Sequence, residues 1–412
     1  MKKVPPSERM REEFQEAVTE ATPEHPMREF ARRAAALMLQ VTMEEQVQEF
    51  FGREHYGRGE RRRRGWRNGY SPLTVKSEAG PMEVLRPKVR GTEEPYAFQM
   101  PGGLGRTTKE LEALATRAYV RGLSTRDVSG LYAEVFGGEL SKSAVSRTLS
   151  SLEETFRVWR GRDLSGERIE YLFLDGQYQA LRSGTREKEG VLTAYGLKDD
   201  GKPVLLHIAL GPRESYDAWL SMLHEMTARG LNAPLMVITD GNPGVRKAVR
   251  EVFPRSRRQR CQVHKMRNLL SKLPRLARSQ IKPLIQQVFE APSHETAIKR
   301  GRALIARFRR RYPDAMECLE ADLEECVTYL LFPVEHHKRI RTTNLIERTF
   351  GESRRRTKVV PRFPTERSCL SLMYATLITA SQTWRGVKMT PKIRRVLDQM
   401  RETMESKEKK VA

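Results

Sequence analysis

Several things are scarce in this 412-residue chain. There are only four cysteines, Cys261, Cys318, Cys326 and Cys369, too few and too widely spaced for a disulfide framework. No apolar run approaches the roughly 18 residues of a spanning helix, and Met1–Glu13 is charged without the apolar core of a signal peptide, so a cytoplasmic protein is expected. Acids are outnumbered: 52 Asp and Glu face 75 Lys and Arg, a formal charge of +23. Such an excess in a chain without membrane segments points to a polyanionic partner, with nucleic acid first.

What stands out against that background is a pair of apolar runs that each stop on a carboxylate. Tyr171-Leu172-Phe173-Leu174 ends in Asp175-Gly176, and Leu235-Met236-Val237-Ile238-Thr239 ends in Asp240-Gly241. Each reads as a buried strand delivering an acid to its C-terminal end. One Asp-Gly after a strand is ordinarily a turn. Two acids at one sheet edge would repel, and an oxygen-bound divalent cation is the natural remedy. Between the runs lie a hairpin, Val191–Leu197 and Val204–Leu210 around Asp199-Asp200-Gly201-Lys202, and a helix over about 215–228 with Trp219, Leu220, Leu223 and Met226 inward. The order strand-Asp, hairpin, helix, strand-Asp, helix predicts a mixed α/β sheet with the two Asp strands side by side.

Around this core the charge is uneven. Between Gly241 and Arg278 there are twelve Lys or Arg and one acid, Glu251. A solvated face mixes signs, so a phosphate-binding surface that includes Arg246, Arg260, Lys265 and Arg267 is expected. Cys261-x-x-His264 in the same stretch is half of a zinc spacing that Cys318, Cys326 and His336-His337 would have to complete; without a second tight pair, buried thiols are the simpler reading. Residues 279–332 read as helical and end in the acids Asp314, Glu317, Glu320, Asp322, Glu324 and Glu325, a charge suited either to solubility or to a partner subunit. Farther on, Asn344 looks like an N-cap and Glu347 its capping-box partner. Glu347 is also the candidate third carboxylate, preferred to Glu352 because Leu345 and Ile346 put its end of the helix on the core. Arg348, Arg354 and Arg355 would extend from there to DNA.

The N-terminal part reads as DNA-handling equipment. Residues 1–57 form a helical arm or dimerising segment with Phe30, Ala34, Leu37 and Met38 inward, and 58–105 hold a glycine-punctuated arginine loop over Arg58–Tyr70, including Arg62, Arg63 and Arg64, then a small hairpin, Leu73–Glu78 with Met82–Val89. Over 106–160 the capping-box start at Ser124, the apolar face Val128, Leu131 and Tyr132, the break at Phe136-Gly137-Gly138 and a second helix capped by Ser141 suggest a helix-turn-helix that presents Lys142, Ser146 and Arg147.

Taken together, LFLDGQYQALR, GPRESYDAW, VITDGNPGVRKAV, RQRCQVHKMRNLL and TTNLIERTFGESRRRTKVVPRFP, in that order, with the acids 65 and 107 residues apart, resemble the Mutator-type transposases of bacterial insertion sequences. The resemblance implies a DDE enzyme with an RNase H-like (retroviral-integrase-like) catalytic core over 168–384, a helical insertion at about 279–335 and a C-terminal tail over 385–412. It implies that Asp175, Asp240 and Glu347 bind two Mg²⁺ (or Mn²⁺) ions, with Cys261 and His264 shaping the active site. It further implies a likeness in partners and place: double-stranded DNA as terminal inverted repeats and target, a homodimer, and association with the bacterial nucleoid. Two other functions share these features, a DNA-binding regulator with an inactive core and an RNase H-like nuclease or resolvase.

Overall fold

The computed structural model describes residues 4–19, 26–52, 64–93, 96, 98, 107–121, 123, 125–136, 142–180, 188–212, 215–357 and 365–406. The chain divides into two compact units, Met1–Ser151 and Leu152–Ala412.

The first unit contains helices α1 (Pro6–Thr19) and α2 (Pro26–Phe51), the hairpin β1 (Trp66–Ser77) and β2 (Gly80–Arg90), and helices α3 (Lys109–Val120) and α4 (Thr125–Phe136); α5 (Lys142–Arg160) crosses into the second. Ala36, Leu39 and Met43 of α2 pack on Val75, Met82 and Val84 of the hairpin. Gln40 closes the edge of β2 as a strand would, its amide donating to Leu85 O at 2.9 Å and its carbonyl accepting from Leu85 N at 2.7 Å. Three expectations change here. The inward stripe of α2 runs through Ala36, Leu39 and Met43, while Phe30 and Met38 are exposed, because only the former face meets the hairpin. Trp66–Tyr70, expected in the arginine loop, opens β1 and pairs with the end of β2. Val128 and Tyr132 of α4 pack against Leu111 and Ala115 of α3, but Leu131, expected beside them, is exposed.

The second unit is built on a five-stranded sheet. Its elements are β3 (Ile169–Ala180), β4 (Lys188–Lys198), β5 (Pro203–Pro212), α6 (Tyr216–Ala228), β6 (Met236–Thr239), α7 (Pro243–Val252) and β7 (Arg257–Arg260). The strand order is β5-β4-β3-β6-β7: β3, β4 and β5 form an antiparallel meander, and β6 and β7 add in parallel to β3. Ser215 caps α6 through its side chain, and Asn242 with Pro243 starts α7.

Alternation sorts β3 onto two faces. Leu172 and Leu174 join Leu192, Ala194, Leu206 and Val237 in a core covered by Trp219, Met222 and Leu223 of α6 and by Val245, Ala248 and Val249 of α7. Burial of each such side chain contributes about 1.5–3 kcal/mol. On the other face, Phe173 stacks on Tyr195 with ring centroids 4.3 Å apart, and Tyr195 meets Trp384. Tyr171 meets Phe332 and hydrogen-bonds His336 Nδ1 at 2.8 Å. Asp175 and Gln177 lie farther along this second face.

β7 was not legible beforehand: Arg-Arg-Gln-Arg has neither apolar character nor alternation. It is followed by α8 (Gln262–Ser271), α9 (Arg275–Phe289), α10 (His294–Phe308), α11 (Pro313–Glu320), α12 (Leu323–Val327) and, after two short 3₁₀ turns, α13 (His337–Ile340). Helices α8 to α12 share their own apolar core. α14 (Asn344–Thr357) and α15 (Glu366–Ser381) follow, and the expected tail contains α16 (Pro391–Ser406). Far from trailing free, α16 buries Ile393 and Leu397, and one turn on Arg401 donates to Glu170 at 2.8 Å and to Ile169 O at 3.1 Å. Among the described residues no helix is long and apolar enough to cross a membrane.

Candidate active site on two neighbouring parallel strands

The parallel register of β3 and β6 runs Leu172↔Val237, Phe173↔Ile238, Leu174↔Thr239. Asp175 and Asp240 are the next residues in each segment, so the register brings both together; β6 stops at Thr239, but β3, expected to end on its acid, runs on to Ala180, because β4 pairs with it past Asp175. Their surroundings differ. Asp175 is 5% exposed. Its Oδ1 accepts from Gly176 N at 2.9 Å, whereas Oδ2 is buried without a hydrogen-bond partner among the described residues. Burial first, and then the charge of Asp240, hold its carboxyl well above its ordinary value, at about 8; His264 acts in the opposite direction. Asp240 sits half-buried in a turn, its Oδ1 accepting from Asn242 N at 2.9 Å. Gly241 follows with φ +82°, and a Cβ there would collide with the Arg260 guanidinium, so both the backbone and the packing require glycine.

The third carboxylate reaches this edge through Cys261. Its backbone N donates to Thr239 O at 2.8 Å, and its Sγ accepts from Thr343 N at 3.4 Å and Thr343 Oγ1 at 3.5 Å. The end of β6 is thereby tied to the residue before α14, and Glu347 lies in the first turn of that helix. Burial raises the Cys261 thiol, but hydrogen bonding to His264 and Thr343 and the charge of His264 outweigh it, and the net shift is downward. His264, one turn into α8, lies between the carboxylates: Nε2 is 3.1 Å from Glu347 Oε1. Cys261 first, then Asp175 and Glu347, lift its imidazole to about 9 against the desolvation that lowers it. Arg267, on the same face of α8, also donates to Glu347 Oε1 at 3.1 Å. The Glu347 carboxylate is thus bound by side chains of α8, and Asn344, expected as the N-cap, is the first residue of α14. Among the described residues no three His, Cys, Asp or Glu are grouped to hold a metal ion.

The chain matches the family described as Transposase, Mutator family, over residues 9–386. It belongs to that family. Similar proteins include the transposase for insertion sequence element ISRM5 of Rhizobium meliloti (strain 1021), 31% identical over 356 residues, 86% of this chain and 88% of the relative. The transposase for IS406 of Burkholderia multivorans is 34% identical over 344 residues, 82% and 87% of the two chains. That for IS905 of Lactococcus lactis subsp. lactis is 27% identical over 378 residues, 92% and 94%.

In this Mutator-family transposase the expected basic surface is only partly a surface. Arg260 and Lys265 are turned inward, 5% and 3% exposed, and both face Asp322: Arg260 Nε lies 3.4 Å from Oδ2, and Lys265 Nζ pairs with Oδ1. Arg246 pairs with Glu325 at 3.0 Å, and Arg250 and Arg258 converge on the same carboxylate. Two acids of the helical insertion therefore pair with five of their own chain's cations and offset part of that charge. This corrects Arg260 and Lys265 as DNA contacts, since a buried, paired cation cannot also reach a phosphate. Arg267 and Arg354 are exposed, and Arg64 is exposed with Glu93 at 3.6 Å. Arg62 and Arg63 lie outside the described residues, as do the side chains of Lys142, Ser146, Arg147, Arg348, Glu352 and Arg355 and of Leu345 and Ile346.

The histidines of the zinc reading serve the fold. His336 bonds Tyr171 and, through Nε2, Lys388 O at 2.9 Å; His337 Nε2 meets Phe332 O at 2.8 Å. Two further residues lie beside Asp175. Gln177, on the same face two residues beyond it, is buried with neither amide atom partnered among the described residues, and Thr193, opposite Asp175 in β4, is buried with its Oγ1 likewise unpartnered. Strand alternation already carried the signal for Gln177; Thr193 depends on hairpin register.

Proposed function

We propose that this chain is a DNA transposase that binds the terminal inverted repeats of its insertion sequence, cleaves there by metal-dependent phosphodiester hydrolysis, and joins the 3′ ends to target DNA by transesterification. The observation that carries the reading is the juxtaposed pair Asp175 and Asp240, with the buried Asp175 Oδ2 unpartnered, in a member of the Mutator family. Membership supports DNA as partner, and the chain's charge of +23 agrees with it. The five-stranded sheet, in which an antiparallel meander is extended by two parallel strands and one acid lies within β3 and the other just after β6, supports an RNase H-like core. α4 and α5 are our candidate helix-turn-helix, and a homodimer handling two ends is part of the same proposal.

Aspartate and glutamate oxygens suit Mg²⁺ or Mn²⁺, and Asp175 Oδ2 is the atom such a cation would satisfy. Asp175, Asp240 and Glu347 are the proposed ligands of two ions. When bound, these ions supply charge neutralisation and Lewis-acid polarisation of a phosphodiester. The remaining work falls to the chain. Gly176 N and Asn242 N each fix one oxygen of an aspartate, leaving the other for the site. Cys261 anchors α14 to the end of β6. His264 and Arg267 hold Glu347 and place positive charge where a phosphate would approach.

Excision of the inverted repeats that flank the gene, from a plasmid in Mg²⁺, tests the reading. Asp240→Asn is expected to lose about 10³-fold or more in cleavage, roughly 4 kcal/mol of barrier, while still binding the repeat. Binding without cutting in both proteins would favour a regulator with an inactive core. Cut ends that are never joined to a target plasmid would favour a nuclease.

A further inference from the structure

A cleft of about 500 Å³ opens beside Glu347, between α8, α9 and the segment from α13 into α14. One wall is apolar, made by Val263, Met266, Leu270 and Phe289. Among the described residues five cations stand around it, Arg267, Lys282, Lys338, Arg339 and Arg341, with a single acid, Glu290, which is engaged by Arg341 at 3.3 Å. Amide groups of Gln286 and Asn344 and the Thr342 hydroxyl also line the space. Arg267 belongs to both the cleft and the site: it lines the one and bonds Glu347 in the other.

Apolar surface for one part of a ligand, cations for another and a few polar groups between describe a nucleotide, with base, phosphate and base edge in turn. The volume is that of a small-molecule site; a base can enter only if it leaves its stack, as in enzymes that extrude a nucleotide into a pocket. We propose that this cleft receives one unpaired nucleotide of the DNA end, at or next to the phosphate presented to Glu347, its base against Met266 and Leu270 and its phosphate among Lys338, Arg339 and Arg341. The proposal rests on the DNA reading above. It also gives the cut site an energetic preference that no base-pair contact supplies, because a poorly stacked step costs less to open.

The test uses the full chain in EDTA, so that no strand is cut, with duplexes of the flanking inverted repeat carrying 2-aminopurine at successive positions across the cut site. Binding is expected to raise the fluorescence about threefold or more at one or two adjacent positions and not elsewhere. Met266→Trp, which fills the cleft from its apolar wall, should abolish that rise while changing affinity for the duplex by less than about threefold. Lys338→Ala and Lys282→Ala, at exposed positions, should reduce it in a protein with unaltered unfolding, and decide the matter if the tryptophan variant does not fold. A rise at every position, or one that persists in the filled and lysine variants, overturns the proposal. So does duplex binding with no localised rise, which leaves the DNA reading standing; failure to bind the duplex at all overturns both.

Discussion

Two regions of the second unit bury charge and treat it in opposite ways. Behind β7, the buried cations Arg260 and Lys265 share the counter-charge of Asp322, and the partly exposed Arg246, Arg250 and Arg258 share that of Glu325. Where β3 passes the end of β6, Asp175 is buried beside a second acid, and one of its oxygens has no hydrogen-bond partner among the described residues. Matched buried charge holds elements together at little net gain. Unmatched buried charge costs stability, and a chain that retains it keeps a place for something else to bind. The first region is therefore read as architecture and the second as chemistry.

The largest effect expected from breaking this contrast is on the matched side. Asp322→Ala leaves Arg260 and Lys265 buried without a counter-ion, and about 3–5 kcal/mol of stability should be lost. Urea denaturation measures it. A loss below about 1 kcal/mol would mean that the pairing is dispensable and that these cations are free to serve another ligand.

On the unmatched side the sign reverses. The Asp175 carboxyl, at about 8 in the folded protein, titrates near 4 when unfolded. Between those values the folded state retains a proton that the unfolded state has released, so its contribution to stability falls as pH rises from about 4 to 8 and is level outside that window. Without divalent metal, Asp175→Asn should therefore stabilise the protein at pH 8 and have little effect at pH 4. Mg²⁺ should raise the Tm of the wild type at pH 8 more than that of the variant. A variant less stable than wild type at both pH values would place Asp175 among the structural acids.

His264 is where the two treatments meet, since its charge acts on Asp175 and its Nε2 lies 3.1 Å from Glu347 Oε1. His264→Ala removes the group between Asp175 and Glu347, and repeat cleavage should fall about 10- to 100-fold, the usual range for residues that orient metal ligands. His264→Gln, which can still donate to Glu347, should recover part of the loss. Equal activity in all three proteins would remove His264 from the site.

How much of this was legible depended on whether the deciding force was local. β3 and β6 announce themselves because strand burial needs an apolar run and the acid ends it abruptly; the hairpin after β3 and the helix capped by Ser215 follow from local rules. β7 does not, because Arg257–Arg260 is held in the sheet by partners distant in sequence: Gln259 donates to Cys326 O at 3.0 Å and accepts from Tyr329 N at 2.8 Å. The same distance hid the fate of the basic stretch. Twelve cations read as a surface until Asp322 and Glu325 return from the insertion to take several of them inward. Glu347 was identifiable as an acid on a helix, but its position depends on Cys261 joining two segments 82 residues apart.

The smallest effect should come from Glu325, and it sharpens the contrast by degree. Unlike Asp322 it is partly open to solvent, its side chain 17% exposed, and its three arginines approach from α7 and β7 with side chains 23% to 54% exposed. Water and salt screen such a cluster, and the arginines can turn outward when it is removed. Glu325→Gln should therefore cost about 1 kcal/mol, less at high ionic strength, against the salt-insensitive loss for Asp322→Ala. The freed arginines also predict a gain. Arg246 and Arg250 should then add to nonspecific DNA affinity, read as a steeper dependence of binding on salt by about one or two counterions. A salt-insensitive loss as large as that of Asp322→Ala would instead make Glu325 part of the buried layer, and the boundary between the two regions would have to move outward to include α7.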